Sequence, residues 1–166
     1  MPRTRTIPDD RIFLAIQKLL NEGGDRAVSF ASVAAATGLA PPTLVQRYGS
    51  RDGMVRATRV AAWEKLSAAT VQAIAATEEK GPQALLKALA GADPASLVLD
   101  ARDPDLAQRA AAWQATVESA LALRLGSGQK ARETAALLFA AWQGQLLWSG
   151  LGQPGFKLKD AVRRLT

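Results

Sequence analysis

What most constrains this chain is a repeated pattern. Apolar residues recur every three or four positions in one segment after another, and glycine or proline separates the segments. Asp9 and Asp10 precede Ile12, Phe13, Ile16, Leu19 and Leu20, a stripe at helical spacing that stops at Gly23-Gly24. Acids at the start and glycine at the end suit the polarity and chain geometry of helix termini. Ser29 can cap a short second helix, Phe30 to Thr37, closed by Gly38. A third opens at Pro41-Pro42, where a missing N–H costs nothing, and runs to about Tyr48 before Gly49. Ser50 caps a fourth, with Asp52 in its first turn, continuing through Trp63, Leu66, Thr70 and Ile74 until Gly81-Pro82. Further on, the pattern predicts helices over Pro82 to Ala90, Pro104 to Leu125, about Gln129 to Ser149, and about Leu158 to Leu165. The turns between them are Gly91 to Pro94, Gly126-Ser127-Gly128 and Gly150 to Gly155. Ala95 to Ala101 fits strand or helix equally well. With no strand pair and no hairpin signal, the expected fold class is all-α.

Absences narrow the chemistry. The 166 residues include no cysteine and no histidine, which removes disulfides, zinc sites, Ser-His-Asp triads and thiol nucleophiles. Glu118 and Glu133 are single acids on long helices, and the other acids fall mostly at helix starts and in loops. No catalytic residue, metal or cofactor is therefore expected, and the chain reads as a non-enzyme. No apolar stretch approaches the ~18 residues of a membrane span. The opening MPRTRT has no apolar run behind it, so no signal peptide is expected and the cytoplasm is the expected compartment. The formal charge is +6, and residues 1–60 hold nine Lys or Arg against five Asp or Glu. The remainder holds twelve against ten. A basic surplus in the N-terminal third suits contact with a polyanion, or is simply a solvated face.

The segment Val28 to Ala57 brings these signals together. Two short helices joined at Gly38 have the size and spacing of a helix-turn-helix, with Ala34 small at the crossing and Val33, Leu39 and Leu44 as apolar contacts. This stretch resembles the TetR family of transcriptional regulators, whose pattern is t-x-x-x-I-A-x-x-A-G-v-s-x-x-t-l-Y-x-h-F-x-s-K-e-x-L. Val33-Ala34 match the I-A pair, Thr37-Gly38-Leu39 match A-G-v, and Thr43-Leu44 match t-l. Tyr48 takes the place of F, Ser50-Arg51-Asp52 resemble s-K-e, and Met54 fills the L position. Trp142 to Leu165 is similar, less strongly, to the family's last two helices. Val45 departs from the usual Tyr, Ala40 from Ser and Arg47 from His, and the Pro41-Pro42 opening is unusual.

The resemblance implies an N-terminal three-helix DNA-binding domain over residues 1–52 and a helical ligand-binding and dimerisation domain over 53–166. It implies a ligand-responsive regulator, a repressor by expectation, acting as a homodimer on palindromic double-stranded operator DNA. A B-DNA major groove admits one helix, so residues 41 to 47 would face the bases. Pro41 and Pro42 offer apolar surface to a thymine methyl. Thr43 offers a hydroxyl and a methyl, and Gln46 can bond adenine or stay solvated. Arg47 can take a phosphate or a guanine edge. Tyr48 and Arg51 complete the expected contact set, and Arg51 at a helix N-terminus makes electrostatic sense beside a phosphate. Arg3 and Arg5 can form an arm reaching backbone or minor groove.

In the body, Trp63, Trp113, Val117, Trp142 and Gln143 are the candidate lining of a site for a small apolar effector, with core packing as the alternative for each. The stripe of Leu138, Phe139, Trp142 and Leu146, followed by Val162 and Leu165, is the candidate dimer surface. A helical protein-interaction adaptor is the competing functional class. It accounts for the body but leaves the basic N-terminus unexplained.

Overall fold

The computed structural model describes residues 7–91, 103–148, 151–152 and 156–165. Arg3, Arg5, the ambiguous stretch 95–101 and part of the turn at 150–155 lie outside the described residues. Among those described there are eight α-helices and no strand. They are α1 (Asp9–Gly23), α2 (Phe30–Thr37), α3 (Pro41–Tyr48), α4 (Arg51–Ala76), α5 (Pro82–Ala90), α6 (Pro104–Leu125), α7 (Gln129–Trp148) and α8 (Leu158–Leu165). A 3-10 turn over Asp25–Ala27 follows α1. None of these helices is long and apolar enough to cross a membrane.

The chain divides into two compact units, up to Ala62 and from Trp63, and α4 carries residues of both. In the first unit α1 turns Ile12 and Ile16 inward, both fully buried, and α2 contributes Val33 and Ala34. Leu44 from α3, Met54 and Val55 from α4, and Val28 complete this core. Burying each of the larger side chains stabilises the unit by about 1.5–3 kcal/mol before ordering costs. The start of α2 is fixed by a reciprocal cap. The Ser32 N–H donates to Ser29 Oγ (3.0 Å) and the Ser29 N–H to Ser32 Oγ (2.9 Å). Gly38 ends α2 at φ 76°, a left-handed conformation that favours glycine, with its N–H on the Ala34 carbonyl (2.8 Å). That turn sets the angle at which α3 leaves α2.

In the second unit α6 packs against α7, α5 against α6 and α8, and α7 against α8. Asp103 caps α6 by accepting from the Asp105 and Leu106 N–H groups. Trp113 lies at the middle of an aromatic cluster, with ring centroids 5.9 Å from Trp63, 5.6 Å from Phe139 and 6.3 Å from Trp142. Its indole N–H donates to the buried Thr70 hydroxyl (2.8 Å), which in turn donates to the Leu66 carbonyl. Arg124 on α6 closes the end of α4 by donating to the carbonyl of Ile74 (2.9 Å) and the hydroxyl of Thr77 (3.2 Å). A cation there meets the negative end of the helix dipole.

Candidate nucleic-acid interface

α3 is short, and its residues divide sharply by direction. Leu44 is fully buried and anchors it to the first unit's core. The first two positions are proline, and the Thr43 N–H donates back to the Ala40 carbonyl (3.0 Å). Pro41, Pro42, Val45 and Gln46 are exposed, and Thr43 is half-buried. The spacing puts Pro41 above Val45 and Pro42 above Gln46, one turn apart on a single outward face. The Gln46 side chain makes no hydrogen bond among the described residues.

Arg47 and Tyr48 instead turn back onto the chain. One guanidinium nitrogen of Arg47 donates to the Ile7 carbonyl (2.8 Å) and lies 3.4 Å from the Asp9 carboxylate. The Tyr48 hydroxyl donates to the same Asp9 oxygen at 2.6 Å, and its ring packs on Phe13 with centroids 6.1 Å apart. Together they tie the end of α3 to the first turn of α1. Arg51 makes a second tie. It donates to the Val28 carbonyl (3.0 Å) and to the Asp25 carbonyl, and it pairs with the carboxylates of Asp25 (2.7 Å) and Asp52 (2.8 Å). Its charge at the start of α4 is thus met inside the chain. Bonding to Asp25 first, and to Asp52 second, holds its pKa above the ordinary arginine value. Gly53, one turn into α4, has no room for a side chain, because a Cβ would press into the Tyr48 carbonyl oxygen.

Of the expected DNA contacts, the structure therefore brings Pro41, Pro42 and Gln46 together on one open face, with Thr43 at its edge. Arg47, Tyr48 and Arg51 serve the packing of the helix-turn-helix. In the sequence Val45 fell within the stretch expected to face DNA but was assigned no contact of its own, and Asp9, Asp25 and the Val28 carbonyl were not foreseen as partners. The Val45 signal was present in its spacing from Pro41.

The second unit has an open cleft of about 390 Å³ between α4 and α6, lined by Trp63, Glu64, Ser67, Thr70, Val71, Arg109, Ala112, Trp113 and Thr116. It includes Trp63 and Trp113 from the expected effector site. Val117, Trp142 and Gln143 are not part of its lining. Val117 and Trp142 are buried, and the Gln143 amide nitrogen is buried with no hydrogen-bond partner among the described residues.

No family model and no curated sequence matches the chain. Among solved structures it is similar to a candidate transcriptional regulator of Streptomyces coelicolor A3(2), with a TM-score of 0.65 and 18% identity over 95% of this chain and 96% of that one. It is also similar to the TetR-family transcriptional regulator PfmR of Thermus thermophilus, at TM-score 0.60 and 18% identity over 94% and 95% of the two chains. A candidate TetR-family regulator of a Rhodococcus species gives TM-score 0.60 and 17% identity over 95% and 93%. The fold is TetR-like. Within this TetR-like fold, the α2–α3 pair occupies the segment where the sequence pattern placed the helix-turn-helix.

Tyr48 offers a direct check on how α3 is held in a TetR-like first unit. Burial, then the hydrogen bond to Asp9 and the charge of Asp9, push its pKa well above the ordinary value of 10.0. A raised value means the folded state holds the proton more tightly than the unfolded state. Its contribution to stability is complete below pH 10 and is lost as pH rises beyond that. The sequence has one tyrosine, so tyrosinate absorbance reports this group alone. In a pH titration the absorbance should stay flat through pH 10 and rise only at higher pH or on unfolding. An ordinary titration in the folded protein would mean that the Asp9 tie is not made.

Proposed function

We propose that the chain is a transcriptional regulator that binds duplex operator DNA as a homodimer, with α3 as the reading helix and residues 1–52 as the DNA-binding part. The observation that carries this reading is the exposed face of α3, Pro41, Pro42, Val45 and Gln46, on a helix anchored by Leu44 and tied at its far end. A helix held at both ends, with one unpartnered face, suits insertion into a major groove. One nitrogen of the Arg47 guanidinium is held by Ile7 and Asp9, and its outer edge is proposed to take a phosphate at the groove rim. Thr43 lies at the edge of the same face, and Arg3 and Arg5 add to the positive charge of the N-terminal third.

A single helix-turn-helix makes few contacts, so tight binding calls for two copies on a two-fold site. Leu138, Phe139 and Trp142 are buried within the second unit and are not free to pair copies. Their neighbours on α7 form another stripe, because turning three apolar residues inward leaves the opposite face outward. That stripe is Leu137 and Leu147, with Trp148 beside them and Ala140 and Gly144 between, and it supports self-association. The α4–α6 cleft is the place proposed for a small effector that alters DNA affinity, as expected of a repressor.

The test is selection from a random duplex pool with purified protein, alongside light scattering. The expected result is an enriched two-fold symmetric sequence, affinity that falls steeply with salt, and a particle of twice 17.5 kDa. A protein that retains no duplex at low salt would instead be an adaptor on a TetR-like frame.

A further inference from the structure

The outward face of α3 is unusual in its chemistry. It carries three apolar side chains and one amide, and no charged group. Pro41 and Pro42 have no N–H, and the next N–H is already bonded to Ala40, so the first three residues offer no free backbone donor. A helix start normally attracts phosphate through those donors, and this one has little to attract it with. What remains for the face to meet is the base edges themselves.

The four bases answer such a face differently. In the major groove guanine presents two acceptors and cytosine an amino donor, whereas thymine presents a methyl group beside its carbonyl. Proline and valine laid over a G·C pair would strip water from those polar edges and leave them unbonded, a cost that apolar contact does not offset. The same side chains laid over thymine methyls bury carbon against carbon. Gln46, one turn from Pro42, is the only group on the face able to bond a base edge twice, and adenine is the base whose donor and acceptor match its amide.

From this we infer that the half-site under α3 is a run of A·T pairs, read through thymine methyl groups by Pro41, Pro42 and Val45 and through one adenine by Gln46. Val45 is thereby a specificity-determining residue. The inference rests on the reading of α3 as the DNA-reading helix and adds the class of sequence it selects.

The experiment takes the duplex enriched by the full-length protein and replaces thymine by deoxyuridine one position at a time, which removes a single methyl and leaves base pairing intact. Each contacted methyl should cost about four-fold in affinity, equivalent to about 0.8 kcal/mol per buried carbon. V45A should lose about as much on the thymine duplex and nothing further on the deoxyuridine duplex at its own position. Q46A should lose about ten-fold or more and become indifferent to 7-deaza-adenine at one position, where the parent is sensitive. An enriched half-site built on G·C pairs, or affinity unchanged by every deoxyuridine, overturns the inference while leaving α3 as a DNA-binding helix. Retention of no duplex at all overturns both.

Discussion

Replacing Trp113 by alanine should lower the unfolding free energy by about 3–5 kcal/mol, the range for deleting a large buried aromatic. Trp113 is 3% exposed and touches three other aromatic rings, so the space it leaves has large, stiff walls that collapse poorly. Ring–ring contacts of this kind add about 0.5–1.5 kcal/mol each beyond the area they bury. The indole bond to Thr70 is lost as well, although Thr70 keeps its own donation to the Leu66 carbonyl and is not orphaned. Trp113→Phe should cost less, since it keeps a ring in the cluster and loses the N–H and part of the volume. Urea unfolding followed by circular dichroism measures both, with an unchanged slope expected if the unfolded state is unaffected. A loss below about 1 kcal/mol for Trp113→Ala would mean that the cluster is not packed as described.

The second large effect sets two adjacent residues of α3 against each other. Leu44→Ala should cost about 2–5 kcal/mol, because Leu44 is the one fully buried side chain of this helix and its contacts on α1, α2 and α4 cannot follow it. DNA affinity should fall with stability, as the helix loses its anchor. Val45→Glu should separate the two, lowering affinity with stability unchanged. Val45 is 44% exposed, and a glutamate there should change stability by no more than about 0.5 kcal/mol. Its carboxylate would nonetheless enter a groove walled by phosphate and lined by thymine carbonyls.

How much of this was legible in the sequence depends on the distance over which each feature is set. Helix ends are local, and Ser29, Gly38, Pro41, Gly49 and Pro82 punctuate the chain where the structure does. The burial of Ile12, Ile16, Val33 and Leu44 follows from spacing alone. The ties of Arg47 and Tyr48 to Asp9 span about forty residues, and that of Arg51 to Asp25 spans twenty-six. No periodicity encodes such a pairing, so these side chains looked like free cations and a free hydroxyl. The direction of α7 was obscure for a related reason. Leu137, Leu138 and Phe139 are consecutive and all apolar, and only their neighbours decide which of them turns inward.

Whether the open face of α3 reads DNA is measured most directly by the affinity of Val45→Glu for the duplex enriched by the parent protein. Fluorescence anisotropy with labelled duplex gives the affinity, and thermal unfolding of the same sample shows whether the fold is intact. A like charge placed against the groove costs several kcal/mol, so binding should weaken by about a hundred-fold or more with an unchanged melting temperature. Parent-like affinity in a protein that melts like the parent would contradict it, because a carboxylate at the centre of the reading face could not then be near DNA.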